Sequence, residues 1–231
     1  MRNIDIVWDQ HQQARFSCQS KFKDQGYILI EQFLNEDISD FLYGYLMLSQ
    51  KRLDVVKKEK LENSDNRYGK IKNNTFTSNG DLVFDSILIG KKSEIEWYTG
   101  YNLVPTYTTS YIHNRGAELE RHTDNSDCEI TLSVCLGYDN SKFLVNEDKT
   151  IEPIQWPFHI IDNQGNEIEV FQKKGDAILY KGEELEHWRK QFDGTLQGQL
   201  EMHYNDSDGD YNNQYNKRPY LGLPSEKEIS R

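Results

Sequence analysis

His122 and Asp124 stand two positions apart in Arg121-His122-Thr123-Asp124. On an extended strand, alternation puts both side chains on one face, about 7 Å apart along the chain. An imidazole and a carboxylate so placed converge on one metal ion. His187, in Glu184-Leu185-Glu186-His187-Trp188-Arg189, follows a turn signal in the strand-rich part of the chain and is the best-placed third ligand. Two histidines and one carboxylate on one face of a metal leave the opposite face open, the arrangement used by non-haem Fe(II) oxygenases. With six histidines (His11, His113, His122, His159, His187 and His203) and 38 acidic residues, a chance His-x-Asp is common. Alone, His122 or His187 reads as a hydrogen-bonded structural residue, so the pattern takes its weight from its neighbourhood.

The elements that must hold these groups divide the chain in two. Gly26-Tyr27-Ile28-Leu29-Ile30 reads as a strand behind a glycine. Asn35-Glu36-Asp37 opens a helix: Asn35 caps it, the two acids suit its positive pole, and Ile38, Phe41, Leu42, Tyr45, Leu46 and Leu48 recur at helical spacing. Residues 1–20 carry no clear pattern. The polar stretch 61–82 reads as a long loop and a candidate lid, and Leu82–Leu88 and Trp97–Leu103 are ambiguous between helix and strand. From Pro105 the texture is all β: Tyr107–His113, Ile130–Leu136, Phe158–Ile161, Ile168–Phe171, Ala177–Tyr180, Leu185–Phe192 and Leu196–Tyr204, punctuated by Gly, Asn and Asp. Short strands at close spacing predict a sandwich or barrel.

Composition sets outer bounds. The chain has 231 residues with 27 basic and 38 acidic side chains, a net charge of −11. That balance argues against sequence-independent binding to nucleic acid, whose affinity rests on Lys and Arg. There is no apolar run of ~18 residues to span a bilayer, and MRNIDIVWDQHQQ lacks the apolar centre of a signal peptide. Cys18, Cys128 and Cys135 are odd in number and show no Cys-x-x-Cys pairing, which fits reduced thiols and a cytoplasmic location.

A longer pattern surrounds the three candidate ligands. Leu103-Val104-Pro105-Thr106-Tyr107, Gly116-Ala117-Glu118-Leu119-Glu120-Arg121-His122-Thr123-Asp124, Cys128-Glu129-Ile130-Thr131, Lys174-Gly175-Asp176-Ala177-Ile178-Leu179-Tyr180, His187-Trp188-Arg189 and Gln197–Tyr204 follow in that order. Ending in Arg218-Pro219-Tyr220-Leu221-Gly222-Leu223, the stretch from about residue 82 to 223 resembles the 2-oxoglutarate and Fe(II)-dependent dioxygenases of the prolyl-4-hydroxylase-like kind. Gly26–Leu34 is similar to the strand that opens such proteins.

The resemblance implies a mainly β, α+β fold: a double-stranded β-helix (jelly-roll or cupin-like) core with N-terminal helices packed on one sheet. It implies a single domain, with residues 1–104 as support and 105–223 as the catalytic core. It also implies Fe(II) held by His122, Asp124 and His187, 2-oxoglutarate taking two of the open positions and O2 the last. The reaction implied is hydroxylation of a C–H bond of a peptidyl residue such as proline, an amino acid or a small metabolite, with release of succinate and CO2. No nucleic acid or membrane partner is expected, and the oligomeric state is left open.

One departure stands out. The distal carboxylate of the co-substrate needs a cation, because a buried unpaired charge is costly, and such enzymes usually place a Lys or Arg about ten residues after the distal histidine. Here that region is Leu196-Gln197-Gly198. Arg189 is the nearest substitute: two residues past His187 it faces the same interior, and its planar fork suits a carboxylate. An exposed hairpin arginine is the competing reading. Tyr111, His113 and Tyr180 are candidate donors from neighbouring strands, as are Gln197 or Gln199 from the last. Asn125 stands at the cavity mouth or in a simple turn, and Trp156 and Trp188 line the channel or merely pack. Asp206-Ser207-Asp208-Gly209-Asp210 lacks EF-hand spacing and reads as a solvated turn. Two other classes share the same residues: a cupin-like metal-binding protein with non-oxidative chemistry, and a non-catalytic binding barrel. Dependence on 2-oxoglutarate separates them.

Overall fold

The computed structural model describes residues 3–59, 70–139, 143–145 and 151–223. In chain order the elements are α1 (Asn3–Gln25), β1 (Tyr27–Ile30), α2 (Glu36–Glu59), β2 (Lys70–Lys72), β3 (Thr75–Asn79), α3 (Leu82–Thr99), β4 (Leu103–Asn114), β5 (Leu119–His122) and β6 (Ile130–Tyr138). They continue with β7 (Phe143–Val145), β8 (Ile151–Pro153), β9 (Phe158–Ile161), β10 (Glu167–Val170), β11 (Ala177–Lys181), β12 (His187–Arg189) and β13 (Leu196–Asp206). A seven-stranded sheet in the order β1-β11-β6-β13-β4-β3-β2 faces a four-stranded sheet in the order β10-β9-β12-β5, and β7 pairs with β8 apart from both. The two facing sheets form the squashed barrel of a double-stranded β-helix, with the helices against the outer face of the larger sheet.

This layering explains an inverted polarity in the last strand. Leu200, Met202 and Tyr204 of β13 join Leu132, Val134 and Leu136 of β6, Leu42 and Leu46 of α2, and Phe84, Leu88 and Ile95 of α3 in the main hydrophobic core. That core lies between sheet and helices, so the alternate residues of β13, Gln197, Gln199, Glu201 and His203, face the barrel interior. Burying apolar area beneath the helices stabilises the sheet and leaves its other face free to be polar. Phe158, Ile160, Val170, Ile178, Tyr180 and Leu185, from strands of both sheets and the turn after β11, form a smaller apolar cluster.

The sequence-predicted helix opens as expected: Asn35 Oδ1 accepts from the Ile38 amide at 2.9 Å. Leu82–Leu88, ambiguous in sequence, opens helix α3, because Asp81 caps it through the Val83 amide at 2.9 Å while Tyr45 donates to the same carboxylate at 2.6 Å. The other ambiguous stretch, Trp97–Leu103, ends that helix at Thr99 and enters β4 at Leu103. Residues 3–25, unpatterned in sequence, form α1, whose few apolar side chains hide its face; Phe22 is buried and His11 packs on Trp97 of α3. Gly26 ends α1 with φ +80°, where an added Cβ would lie 2.8 Å from Leu185 and 2.9 Å from Asn163.

The expected loop over 61–82 is corrected where it is described. Residues 70–79 form the β2–β3 hairpin, turning at Asn73-Asn74 with φ +49° and +60°, the left-handed pair that a two-residue hairpin loop requires. Strand β3 pairs with β4 from Thr75 opposite His113 to Asn79 opposite Thr109, and Phe76 is fully buried. That part is sheet edge rather than lid; residues 60–69 lie outside the described residues. Strands β1, β2 and β3, from the first 104 residues, are part of the large sheet itself. The Asp206–Asp210 stretch is a turn, with Asp206 Oδ1 accepting from the Asp208 amide.

Candidate metal centre

Strands β5 and β12 are antiparallel neighbours in the small sheet, with His122 and His187 directly opposite in register. Each Nδ1 lies on a backbone carbonyl of its own strand entry: His122 on Glu120 at 2.7 Å and His187 on Leu185 at 2.9 Å. A carbonyl can only accept, so both rings hold a proton on Nδ1 and present the lone pair of Nε2. Both Nε2 atoms stand 3.6 Å from Oδ1 of Asp124. The donor atoms of these three residues lie within 4.8 Å of one another, and they are the nitrogen and oxygen donors that suit divalent iron. The residues present therefore fit a metal ion.

Asp124 reaches this point differently from the sequence expectation. Strand β5 ends at His122, so Asp124 lies in the following turn and not on the strand face. Its amide donates to the carbonyl of Gly182 at 2.8 Å, and its Oδ2 accepts from Thr131 Oγ1 at 3.1 Å. Gly182 makes room: a Cβ there would sit 2.4 Å from Asp124 Oδ2, 2.5 Å from the Cys128 carbonyl and 2.7 Å from Thr131 Oγ1. Burial pushes the Asp124 pKa up, but the facing imidazoles of His122 and His187, with charge from His203 and His187, outweigh it and hold the carboxyl well below the usual range. The same Asp124 contact raises the pKa of His122. His203 Nδ1 reaches Thr131 Oγ1 at 3.1 Å, so Asp124 is backed by a threonine that is itself backed by a buried histidine. Burial lowers the His203 pKa to about 4, leaving the ring neutral.

The three ligands border a cavity of about 360 Å³ between the sheets, a size that suits a small molecule. The side chain of His187 is 2% exposed and that of His122 37%, so the cavity is reached from the His122 side, past Lys72, Asn73 and Glu118. At the interior lies Arg189, 4% exposed, which removes the exposed-hairpin reading. Its guanidinium donates to the Trp156 carbonyl and to Gln172 Oε1 at 2.7 Å, and stacks 5.1 Å from the rings of both Trp156 and Phe158. All these partners are neutral, so the cation enters the cavity without a carboxylate bound to it among the described residues. Burial lowers its pKa, and an anion there would relieve that cost.

Of the remaining nominated residues, Tyr111, His113, Tyr180 and Gln199 all border this cavity. Tyr180 Oη lies 3.5 Å from His187 Nε2. His113 stacks on Tyr111 and meets Thr75 Oγ1 at 3.1 Å; burial and the nearby Arg189 lower its pKa to about 3, so it is a neutral wall. Gln197 instead turns to Tyr138 and Cys135. Trp156 borders the cavity, whereas Trp188 lies on the outer face between His159 and Arg121. Asn125 is exposed in a turn closed by the Cys128 amide. All three cysteines are free thiols. No described helix is long and apolar enough to cross a membrane.

Sequence reasoning missed Glu201, Thr131, Ser133 and Gln172. Glu201 borders the cavity, and burial with the nearby Asp124 raises its pKa to about 8 against the opposing hydrogen bond from Ser133. The signal available was the alternation of Gln197, Gln199, Glu201 and His203, which becomes informative once helices are known to cover the other face.

No protein-family model matches the chain, and no curated protein matches it in sequence. Solved structures do match in fold. A Pseudomonas putida prolyl-4-hydroxylase superposes with a TM-score of 0.56 at 13% identity, covering 83% of this chain and 98% of that one. A Trichoplax adhaerens prolyl hydroxylase, solved with a peptide fragment of hypoxia inducible factor, gives 0.57 at 14% identity, covering 90% and 94%. The epimerase SnoN from nogalamycin biosynthesis, in complex with Fe3+, alpha ketoglutarate and nogalamycin RO, gives 0.57 at 11% identity, covering 85% of each chain. These likenesses establish a shared double-stranded β-helix.

Proposed function

We propose that this chain is a non-haem Fe(II) and 2-oxoglutarate-dependent oxygenase that hydroxylates a C–H bond of a peptidyl residue such as proline, an amino acid or a small metabolite, with release of succinate and CO2. The observation that carries the reading is the convergence of His122 Nε2 and His187 Nε2 on one oxygen of Asp124 at the edge of a cavity that also holds a buried, carboxylate-free Arg189. That SnoN is described with iron and alpha ketoglutarate on a similar fold supports it.

An Fe(II) ion held by His122, Asp124 and His187 would supply O2 activation and oxidative decarboxylation of the 2-oxo acid. The carbonyls of Glu120 and Leu185 keep both imidazoles in the ligating tautomer, and Thr131 fixes the carboxylate. Arg189 neutralises the distal carboxylate of the co-substrate, with Tyr111, His113, Tyr180 and Gln199 as the surrounding polar wall. Phe158 stacks on His187 and with Tyr180 excludes water from that side. The substrate enters from the open side, near His122.

Anaerobic titration with Fe(II) and then 2-oxoglutarate tests this, by the weak visible charge-transfer band of the chelate. Growth of the band in the native chain and its loss in Asp124→Ala supports the reading; no band at saturating metal and co-substrate overturns it. A screen of peptides, amino acids and metabolites for succinate release then identifies the substrate class.

A further inference from the structure

Glu201 borders the cavity deep on β13, outside the proposed ligand set, and no cation pairs with it among the described residues. It lies on β13 opposite Ser133 of β6 and Thr109 of β4, and its Oε2 is buried without a hydrogen-bond partner. The protons around it can be assigned. Gln199 Nε2 donates to Ser133 Oγ at 2.5 Å, and Ser133 spends its single proton on Glu201 Oε1 at 2.7 Å. Oε1 is therefore the acceptor of the pair, and a proton on the acid resides on Oε2, the partnerless oxygen. An ionised Oε2 would be a buried charge with no donor, which is costly; a protonated one is a donor awaiting an acceptor.

Resting on the proposed reading of the site, we infer that Glu201, in its acid form, donates its Oε2 proton to a carboxylate oxygen of the 2-oxo acid bound between the sheets, acting with Arg189 as a specificity determinant for an anionic ligand. The two groups belong to facing sheets, β13 and β12, and border one cavity. The surrounding charges agree. Burial first and Asp124 second hold Glu201 protonated up to about pH 8, while Ser133, Arg189 and His122 oppose them. The other titratable groups that face it are neutral: Tyr111 of β4, Tyr180 of β11, Cys128 before β6 and His203 of β13. When Glu201 ionises, a donor becomes a negative charge beside the ligand's own.

The test is a titration of 2-oxoglutarate into the Mn(II)-loaded protein, followed by the fluorescence of Trp156 beside Arg189, in the wild type and in Glu201→Gln. The amide keeps the geometry, its oxygen accepting from Ser133 and its nitrogen donating, but it cannot ionise. The wild-type Kd should be flat at neutral pH and then rise about tenfold per pH unit once Glu201 loses its proton, as linkage to one proton requires. Glu201→Gln should bind at neutral pH within a few-fold of wild type and stay flat through the same range. Bound metal and bound dicarboxylate shift the midpoint in opposite directions, so the loss of the alkaline limb in the variant carries the inference. Parallel limbs in the two proteins overturn it, as does loss of binding in Glu201→Gln at neutral pH with Mn(II) still bound. No binding by the wild type at any pH removes the co-substrate reading as well. In the metal-free wild type, a carboxylic-acid infrared band that disappears near pH ~8 and is missing from Glu201→Gln supports the protonation state independently of any ligand; its absence from the wild type at neutral pH overturns the inference.

Discussion

His122 and His187 are cross-strand partners whose rings lie 4.3 Å apart, although 64 residues intervene in sequence. The pairing of β5 with β12 sets their separation. The third group has no strand to hold it and depends on the turn and on Gly182, so the metal site has one arm that is easily displaced.

Asp124→Asn should lower metal affinity by more than about 100-fold, the upper range seen when only a supporting partner is lost. The circular dichroism spectrum should not change, because Asp124 contributes no strand pairing. Calorimetric titration with Fe(II) under argon measures this; retained affinity would mean that the carboxylate is not a ligand.

Gly182→Ala should produce nearly the same metal defect from a residue that ligates nothing. Its Cβ would overlap Asp124 Oδ2 and the Cys128 carbonyl, and relief of such overpacking costs about 1–3 kcal/mol. A modest fall in melting temperature with a large loss of metal affinity is expected. An unchanged metal affinity would show that the carboxylate tolerates the shift.

Arg189→Gln should weaken 2-oxoglutarate by on the order of 30-fold or more, since losing one partner of a buried charge pair costs about 2–5 kcal/mol. Metal affinity should stay near wild type, as Arg189 touches none of the three ligands. Equal loss of metal and 2-oxoglutarate binding would assign Arg189 to the fold instead.

Acid should weaken metal binding. Asp124 raises the pKa of His122 in the metal-free protein, so below that pKa the ion must expel a proton to reach Nε2. Affinity should fall about tenfold per pH unit there, with proton release on binding. Calorimetry in buffers of different ionisation enthalpy measures the released proton; none at acid pH would argue against ligation by His122.

Glu201→Gln should also change stability with pH. A carboxyl whose folded pKa is about 8 keeps its proton while the unfolded chain has released it above about 4.3. The wild type therefore loses stability as pH rises between these values, and the loss levels off above the folded pKa. The difference between wild type and variant in urea midpoints should grow across that window to a few kcal/mol in favour of the variant at pH ~8. A constant difference would place the Glu201 pKa near its ordinary value.

The residues that meet at the candidate metal centre were legible because their types are scarce and their order along the chain is distinctive: His122, Asp124, His187 and the Arg189 beside them. Strands β4, β6, β9, β10, β11, β12 and β13 were legible from alternation and turn residues, whereas the short β5, β7 and β8 were not among the strands read from the sequence. Helix α1 was not, since so few of its residues are apolar that its buried side leaves no stripe. Nor was the β2–β3 hairpin, whose Asn73-Asn74 corner lies in a polar run that resembles a loop. Glu201 was illegible for a deeper reason. Alternation marks two faces of β13 without saying which is inward, and here helices cover the apolar face, so the acid points into the barrel.

The turn that carries Asp124 is tied by its amide to Gly182 beyond β11 of the large sheet, while both histidines belong to the small sheet. An ion gripping all three would rivet one wall of the barrel to the other at the rim. Occupancy should thus be felt mechanically, as slower amide exchange and greater resistance to proteolytic nicking around residues 123–129 and 182–186, before any co-substrate arrives.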